Sequence, residues 1–298
     1  MKDLFVVVGM PRGGTTYLYH NLQNHPQIFM PFRKEVNYFN VNFGRGEEWY
    51  RRLYEEAKDG QVCADISPPC FMEELSEDRI LSFNPNAKAV LVIRDPLEWA
   101  LSFYAQFSSF NFDMIPFSDF VNGYEYKIGE NSLSLNFTDN YIPKRIETFK
   151  KHFGKNLLIY NQKVLKKDAL SMFKAFEKFL GLDPYFTEET IDDRRINASD
   201  RKNIVWLQRL LANEKLISMI EKYFPRKLVL SARKKFDSGS VNEKARNIDQ
   251  IYSEEDLALA KKLFSDQQVY IDDMFAKHDF LLGDGTALEI NQQNKKRA

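Results

Sequence analysis

Cysteine is scarce. The 298-residue chain has two, Cys63 and Cys70. Their spacing matches neither a Cys-x-x-Cys redox pair nor a zinc knuckle, which argues against a disulfide scaffold and leaves two reduced thiols as the expectation. Net charge is lacking too: Lys and Arg total 42, and so do Asp and Glu. Nothing global then attracts nucleic acid or a membrane surface, and any basic function has to be local. No stretch approaches the roughly 20 apolar residues of a membrane span. No signal-peptide pattern precedes the first apolar run, and no internal repeat is visible. These absences lead us to expect a reducing compartment, most simply a bacterial cytoplasm, with no membrane insertion. Oligomeric state is left open, since no sustained heptad stands out.

A more telling absence is local. Leu4 to Val8 is an apolar, β-rich run ending at Gly9, and Met10-Pro11-Arg12-Gly13-Gly14-Thr15-Thr16 follows. Strand, glycine-rich turn and helix N-terminus together make an anion site, because backbone N–H groups point inward and the helix dipole favours negative charge. Gly9 and Gly14 have the spacing of a nucleotide P-loop, G-x-x-x-x-G-K-[ST], and Thr16 takes its Ser/Thr place. The lysine is missing, and Thr15 stands there. The cation comes instead from Arg12, inside the turn. The loop is therefore expected to hold a phosphate-like group, but not the β/γ-phosphates of ATP.

Further elements follow in order. Residues 14–24 read as a helix, and His25, beside Pro26 at its end, reads as structural. Residues 49–57 and 73–83 read as helices, with a strand at 62–66 stopped by Pro68 and Pro69. Residues 87–93 form a continuous apolar run, suited to a parallel strand covered on both faces. Pro96 opens a helix to about Phe107. Residues 108–140 read as irregular. A helix at 141–153, a strand at 156–160 and an amphipathic helix at 168–180 stopped by Gly181 come next. Helices are expected at 203–223 and 254–277, and a disordered polar tail over residues 286–298. Strands alternating with helices imply an α/β fold: one three-layer, P-loop-like domain over residues 1–285, with a mostly parallel central sheet flanked by helices. Ligands of such sheets sit at the carboxyl ends of strands, and three ends are chemically loaded: 9–16, 65–67 and 94–102.

The strand at 87–93 ends in Arg94-Asp95-Pro96, and Ser102 follows on the helix. Two readings are open. Arg94 and Ser102 could pinch one phosphate, the guanidinium as a fork and the hydroxyl as a further bond. Alternatively Arg94 and Asp95 cap a helix and Ser102 is a surface serine. Beside the 12–16 turn the first reading gains, because two phosphate cradles suit a nucleotide with two separated anionic ends.

These motifs resemble those of the PAPS-dependent sulfotransferases, nearest the glycan-type and bacterial members. Pro11 to Thr16 is similar to the family's 5′-phosphosulfate loop, and Val92 to Pro96 with Ser102-Phe103-Tyr104 to its 3′-phosphate motif. Residues 173–182 also look familial, so the resemblance spans roughly residues 4–280. It implies that Arg12, Gly13, Gly14, Thr15 and Thr16 bind the 5′ end of 3′-phosphoadenosine 5′-phosphosulfate (PAPS) and that Arg94 and Ser102 bind its 3′-phosphate, with no metal. Glycan-type members carry Lys-Glu-x-x-x-Phe after the first helix. Lys34-Glu35-Val36-Asn37-Tyr38-Phe39 fits, which implies Glu35 as general base on an acceptor hydroxyl. Arg12 would stabilise charge on the leaving group; the family often has Lys there, and arginine cannot donate a proton, so its role is electrostatic. Asp65-Ile66-Ser67-Pro68 resembles the family's acid-Lys-Ser/Thr-Pro segment, but with Ile66 for the lysine, which weakens the case for a highly anionic glycan. Two readings of the basic run after Asn197 are open: Arg201 closes over the donor, or the run is a solvated charge run before a helix.

The expected activity is sulfuryl transfer from PAPS to a carbohydrate hydroxyl. The alternative acceptor is the hydroxyl of a small secondary metabolite or lipid, and the aromatic stretch from Phe103 to Tyr124 would then either line an apolar pocket or simply pack the core. A kinase-like phosphotransferase is disfavoured by Thr15, and a non-catalytic nucleotide-binding module would leave Glu35 without a task.

Overall fold

The computed structural model describes residues 3–110, 115–128, 131–135, 137, 138, 140–192 and 252–290. β1 (Leu4–Gly9) leads through the glycine turn into α1 (Thr15–Leu22). β2 (Ile28–Phe29), α2 (Glu47–Arg52), β3 (Val62–Ile66), α3 (Ser76–Phe83), β4 (Lys88–Ile93) and α4 (Pro96–Phe110) follow. After α5 (Phe117–Gly123), a hairpin of β5 (Tyr124–Ile128) and β6 (Asn131–Leu135) leads to α6 (Tyr141–Phe153), β7 (Leu157–Asn161), α7 (Gln162–Lys167) and α8 (Ala169–Leu180). The described chain closes with α9 (Glu254–Met274) and β8 (Phe280–Leu282).

The central sheet runs β2-β3-β1-β4-β7-β8, parallel except for the last pair, in which β8 is antiparallel to β7. The near-absence of polar residues in β1 and β4, six residues each, goes with a parallel core covered on both faces. Leu4, Val6 and Val8 face one apolar layer with Leu91, Ile93, Trp99 and Phe149. Phe5 and Val7 face the other with Val90, Val92, Phe173 and Phe176. Helices α4, α6 and α9 close the first face and α1 and α8 the second, giving the three-layer, P-loop-like arrangement expected.

Some elements depart from the reading of the sequence. Within the stretch expected as irregular, residues 117–123 form α5, and residues 124–128 and 131–135 pair as β5 and β6. Tyr104, Phe117 and Phe120 are core residues, so for these three the aromatic stretch is packing and not pocket lining; the side chains of Phe107, Phe110, Phe112 and Tyr124 lie outside the described residues. Residues 286–290, expected in the disordered tail, fold back along β8, where Leu288 N–H donates to Phe280 O at 3.0 Å. The helix expected at 203–223 lies outside the described residues.

The chain order puts β1 between β3 and β4. The crossover direction reverses there, and an open α/β sheet makes its ligand crevice at the carboxyl ends flanking such a point.

Candidate active site

The turn after β1 is built on close backbone approach. Met10 N–H donates to Val92 O at 3.0 Å, holding the turn against β4. A Cβ on Gly9 would stand 2.3 Å from that same carbonyl oxygen, so no larger residue fits. Gly14, at φ 82, is the left-handed N-cap of α1 and offers no side-chain cap. The first bonds inside the helix come from Tyr17 and Leu18 N–H to Gly14 O. The amides of Thr15 and Thr16 are thus among those that a helix start leaves over for a ligand.

Arg12 sits at φ 69, a left-handed conformation outside glycine, of the kind that collects at functional sites. Three side chains meet it. Arg94 Nη1 donates to Arg12 O at 3.4 Å, Gln162 Nε2 donates to the same oxygen at 3.0 Å, and Arg12 Nε donates to Ser102 Oγ at 3.4 Å. The structure therefore brings together Arg12, Gly13, Gly14, Arg94 and Ser102 at the tips of β1 and β4. It does not show a direct Arg94–Ser102 bond: Arg12 stands between them. Asp95 Oδ1 accepts from Glu98 N–H at 2.9 Å and so caps α4 by itself, which leaves Arg94 free of the capping role. Arg94 Nη2 reaches the exposed Glu98 carboxylate at 3.4 Å, and Arg94 Nε is buried with no partner among the described residues.

Electrostatics mark the same spot. Burial, then the charge of Arg94, push the Arg12 guanidinium below its ordinary value, while Glu35 pulls it back. Two guanidiniums held side by side favour an anion between them. Glu35, at φ 57, lies on the loop after β2, and Lys34 Nζ meets its Oε1 at 2.5 Å. On the other side Asp65 is fully buried at the tip of β3, where burial raises its carboxyl to about 6 against the pull of Ser67 and Tyr50, with Glu35 adding to the rise.

His25 is placed away from this rim, buried, with its Nε2 3.3 Å from Asp183 O. Cys63 and Cys70 are buried and unbridged. Arg201 lies outside the described residues. Gln162 was not singled out from sequence; its only signal is its place directly after β7, the next parallel strand. Among the described residues, no cluster of His, Cys, Asp or Glu is arranged to hold a metal, and no helix is long and apolar enough to cross a membrane.

Comparison with known proteins gives a consistent picture. The family model described as "Sulfotransferase domain" matches residues 2–258. The membrane-associated sulfotransferase kil1 of Dictyostelium discoideum is 35% identical over 103 residues, 34% of this chain and 22% of that protein. Human heparan sulfate glucosamine 3-O-sulfotransferase 3B1 is 26% identical over 187 residues, 62% of this chain and 47% of its own. The chain thus spans about half or less of these relatives. A sulfotransferase from Alicyclobacillus acidocaldarius shares the fold, with a TM-score of 0.51 and 17% identity over 78% of this chain and 96% of that one.

Proposed function

The chain belongs to the sulfotransferase domain family, and from that premise we propose that it transfers the sulfuryl group of PAPS to an acceptor hydroxyl, one carried by a carbohydrate. The observation that carries this reading is the meeting of Arg12, Arg94 and Ser102 beside a glycine turn that has no P-loop lysine. The residues present fit such a donor: Arg94 Nε is buried and, among the described residues, has no partner, and Gly13 leaves no room for a side chain, since a Cβ there would stand 2.9 Å from Val92 Cγ1. When bound, the donor supplies an electrophilic sulfur and a phosphate leaving group.

The protein's own part is positioning and charge. Amides of residues 13–16 and the Arg12 guanidinium hold the 5′ end, while Arg94 and Ser102 hold the 3′-phosphate. The Arg12–Ser102 contact, at 3.4 Å, is at the outer limit of hydrogen bonding and is readily exchanged for phosphate oxygens. Arg12 then stabilises negative charge on the leaving group, and Glu35 takes the proton from the acceptor hydroxyl. Arg201 is the proposed closing residue. A carbohydrate acceptor is supported by the relative described as a heparan sulfate glucosamine 3-O-sulfotransferase. The cytoplasm is our proposed compartment, supported by two unbridged thiols and tested by cell fractionation.

The test is a melt with adenosine 3′,5′-bisphosphate in EDTA, followed by transfer of labelled sulfate to a panel of glycans, phenols and lipids. Ligand at a hundredfold excess over Kd adds about 2.7 kcal/mol, a rise of about 4 °C for a chain of this size. An unchanged melting temperature refutes the donor site. Label on phenols or lipids alone overturns the carbohydrate acceptor, and turnover of Mg-ATP overturns the reaction.

A further inference from the structure

Asp65, one strand from the glycine turn, has no part in the chemistry above. Two hydroxyls converge on it: Ser67 Oγ donates to Oδ1 at 2.6 Å and Tyr50 OH donates to Oδ2 at 3.0 Å. Ser67 also accepts, from Asn37 N–H at 2.9 Å. The Asn37 amide proton takes one lone pair of Ser67 and the serine proton points to Oδ1, so an ionised Asp65 accepts from both hydroxyls and offers no proton of its own.

The loop reached by this network carries Glu35. Glu35 at φ 57 and Asn37 at φ 52 are both left-handed, at a cost of about 1–3 kcal/mol each. Between them Val36 is fully buried in the core. Asn42 grips the loop from its far end, through Nδ2 to Val36 O at 2.8 Å and its backbone N–H to Asn37 O at 2.9 Å. Tyr50 adds a second hold, its ring stacked on Tyr38 with centroids 4.4 Å apart. Asp65 is therefore tied to residue 37 through Ser67 and to residue 38 through Tyr50.

We propose that Asp65, acting through Ser67 and Tyr50, is a positioning residue that locks the 35–38 loop in its left-handed conformation and so aims Glu35 at the acceptor oxygen. This rests on the reading of Glu35 as base. A buried carboxylate is a costly way to fasten a loop, and apolar replacements of buried charge are often more stable. What the acid provides here is a polarised chain of bonds with one geometry.

The experiment compares Ser67→Ala, Glu35→Gln and the double variant, with turnover, KM for donor and affinity for adenosine 3′,5′-bisphosphate measured for each. Ser67→Ala is expected to lower kcat about tenfold and leave bisphosphate affinity within twofold. In the Glu35→Gln background it should cost nothing more, because the residue it positions is gone. An unchanged kcat in Ser67→Ala, or the same tenfold loss in both backgrounds, overturns the proposal. Wild-type turnover in Glu35→Gln would instead overturn the base assignment, a separate failure. If Ser67→Ala does not fold, Tyr50→Phe, which removes the other donor to the same carboxylate, is judged by the same outcomes.

Discussion

Arg94→Ala should separate affinity for the 3′-phosphate from stability of the fold. In the protein alone, the Arg94 side chain makes only long contacts among the described residues, 3.4 Å to Arg12 O and 3.4 Å to a Glu98 carboxylate that is 57% exposed. Such contacts contribute about 1 kcal/mol or less, so the variant should unfold near the wild-type temperature. Toward a phosphate the same guanidinium can form charge-assisted, paired bonds, and its buried Nε gains a partner. Losing these should cost about 2–4 kcal/mol, or about 30- to 900-fold in Kd. Calorimetric titration with adenosine 3′,5′-bisphosphate reads the loss, and titration with AMP supplies the control. Wild type should prefer the bisphosphate strongly, and Arg94→Ala should keep only the small preference that Ser102 supports. Arg94→Lys should fall between, because it keeps the charge and loses the fork. A variant that prefers the bisphosphate as strongly as wild type would refute the assignment, as would one whose stability falls as much as its affinity.

Glu35→Ala should lower turnover by about 10²- to 10⁴-fold while bisphosphate affinity holds or tightens slightly, since the lost charge opposes an anion; equal losses in both would show that Glu35 is not acting on the acceptor. Gly14→Ala should destabilise by at least about 1–2 kcal/mol, because φ 82 is left-handed and the new Cβ would lie 2.4 Å from Leu165 Cδ2, and urea melts showing wild-type stability would mean that the turn relaxes freely. Asp65 gives a pH prediction. Its carboxyl is raised from 3.8 to about 6, so between those values the folded state keeps a proton that the unfolded chain has released. Stability therefore falls as pH rises through that window, by about 3 kcal/mol in all. Urea melts from pH 3.5 to 7 should show this slope in wild type and its loss in Asp65→Asn; the same slope in both would mean that Asp65 ionises as freely folded as unfolded.

The parts of this molecule that were legible from sequence are those whose signal is continuous along the chain. β1, β3, β4 and β7 fall within a residue or so of the apolar runs that announced them, because a strand covered on both faces cannot hide its composition. β2 and β8 have two and three residues, too short to show a period, and they exist only because β3 and β7 offer them an edge to pair with. The β5–β6 hairpin was missed for a different reason: its Asn and Ser content reads as loop, and pairing between the strands decides its conformation instead. The candidate site divides in the same way. The turn at 12–16 and the pair Arg94 and Ser102 lie on local motifs and could be named in advance, while Gln162 reaches Arg12 O from 150 residues away. Strand order supplies what composition cannot. With β1 set between β3 and β4, Arg94 arrives on one side of the glycine turn and the Asp65–Ser67 anchor of the Glu35 loop on the other. A sequence can announce three loaded strand tips; that β3 and β4 are the two flanking β1, and so put the Glu35 loop and the glycine turn on one rim, follows from the crossover.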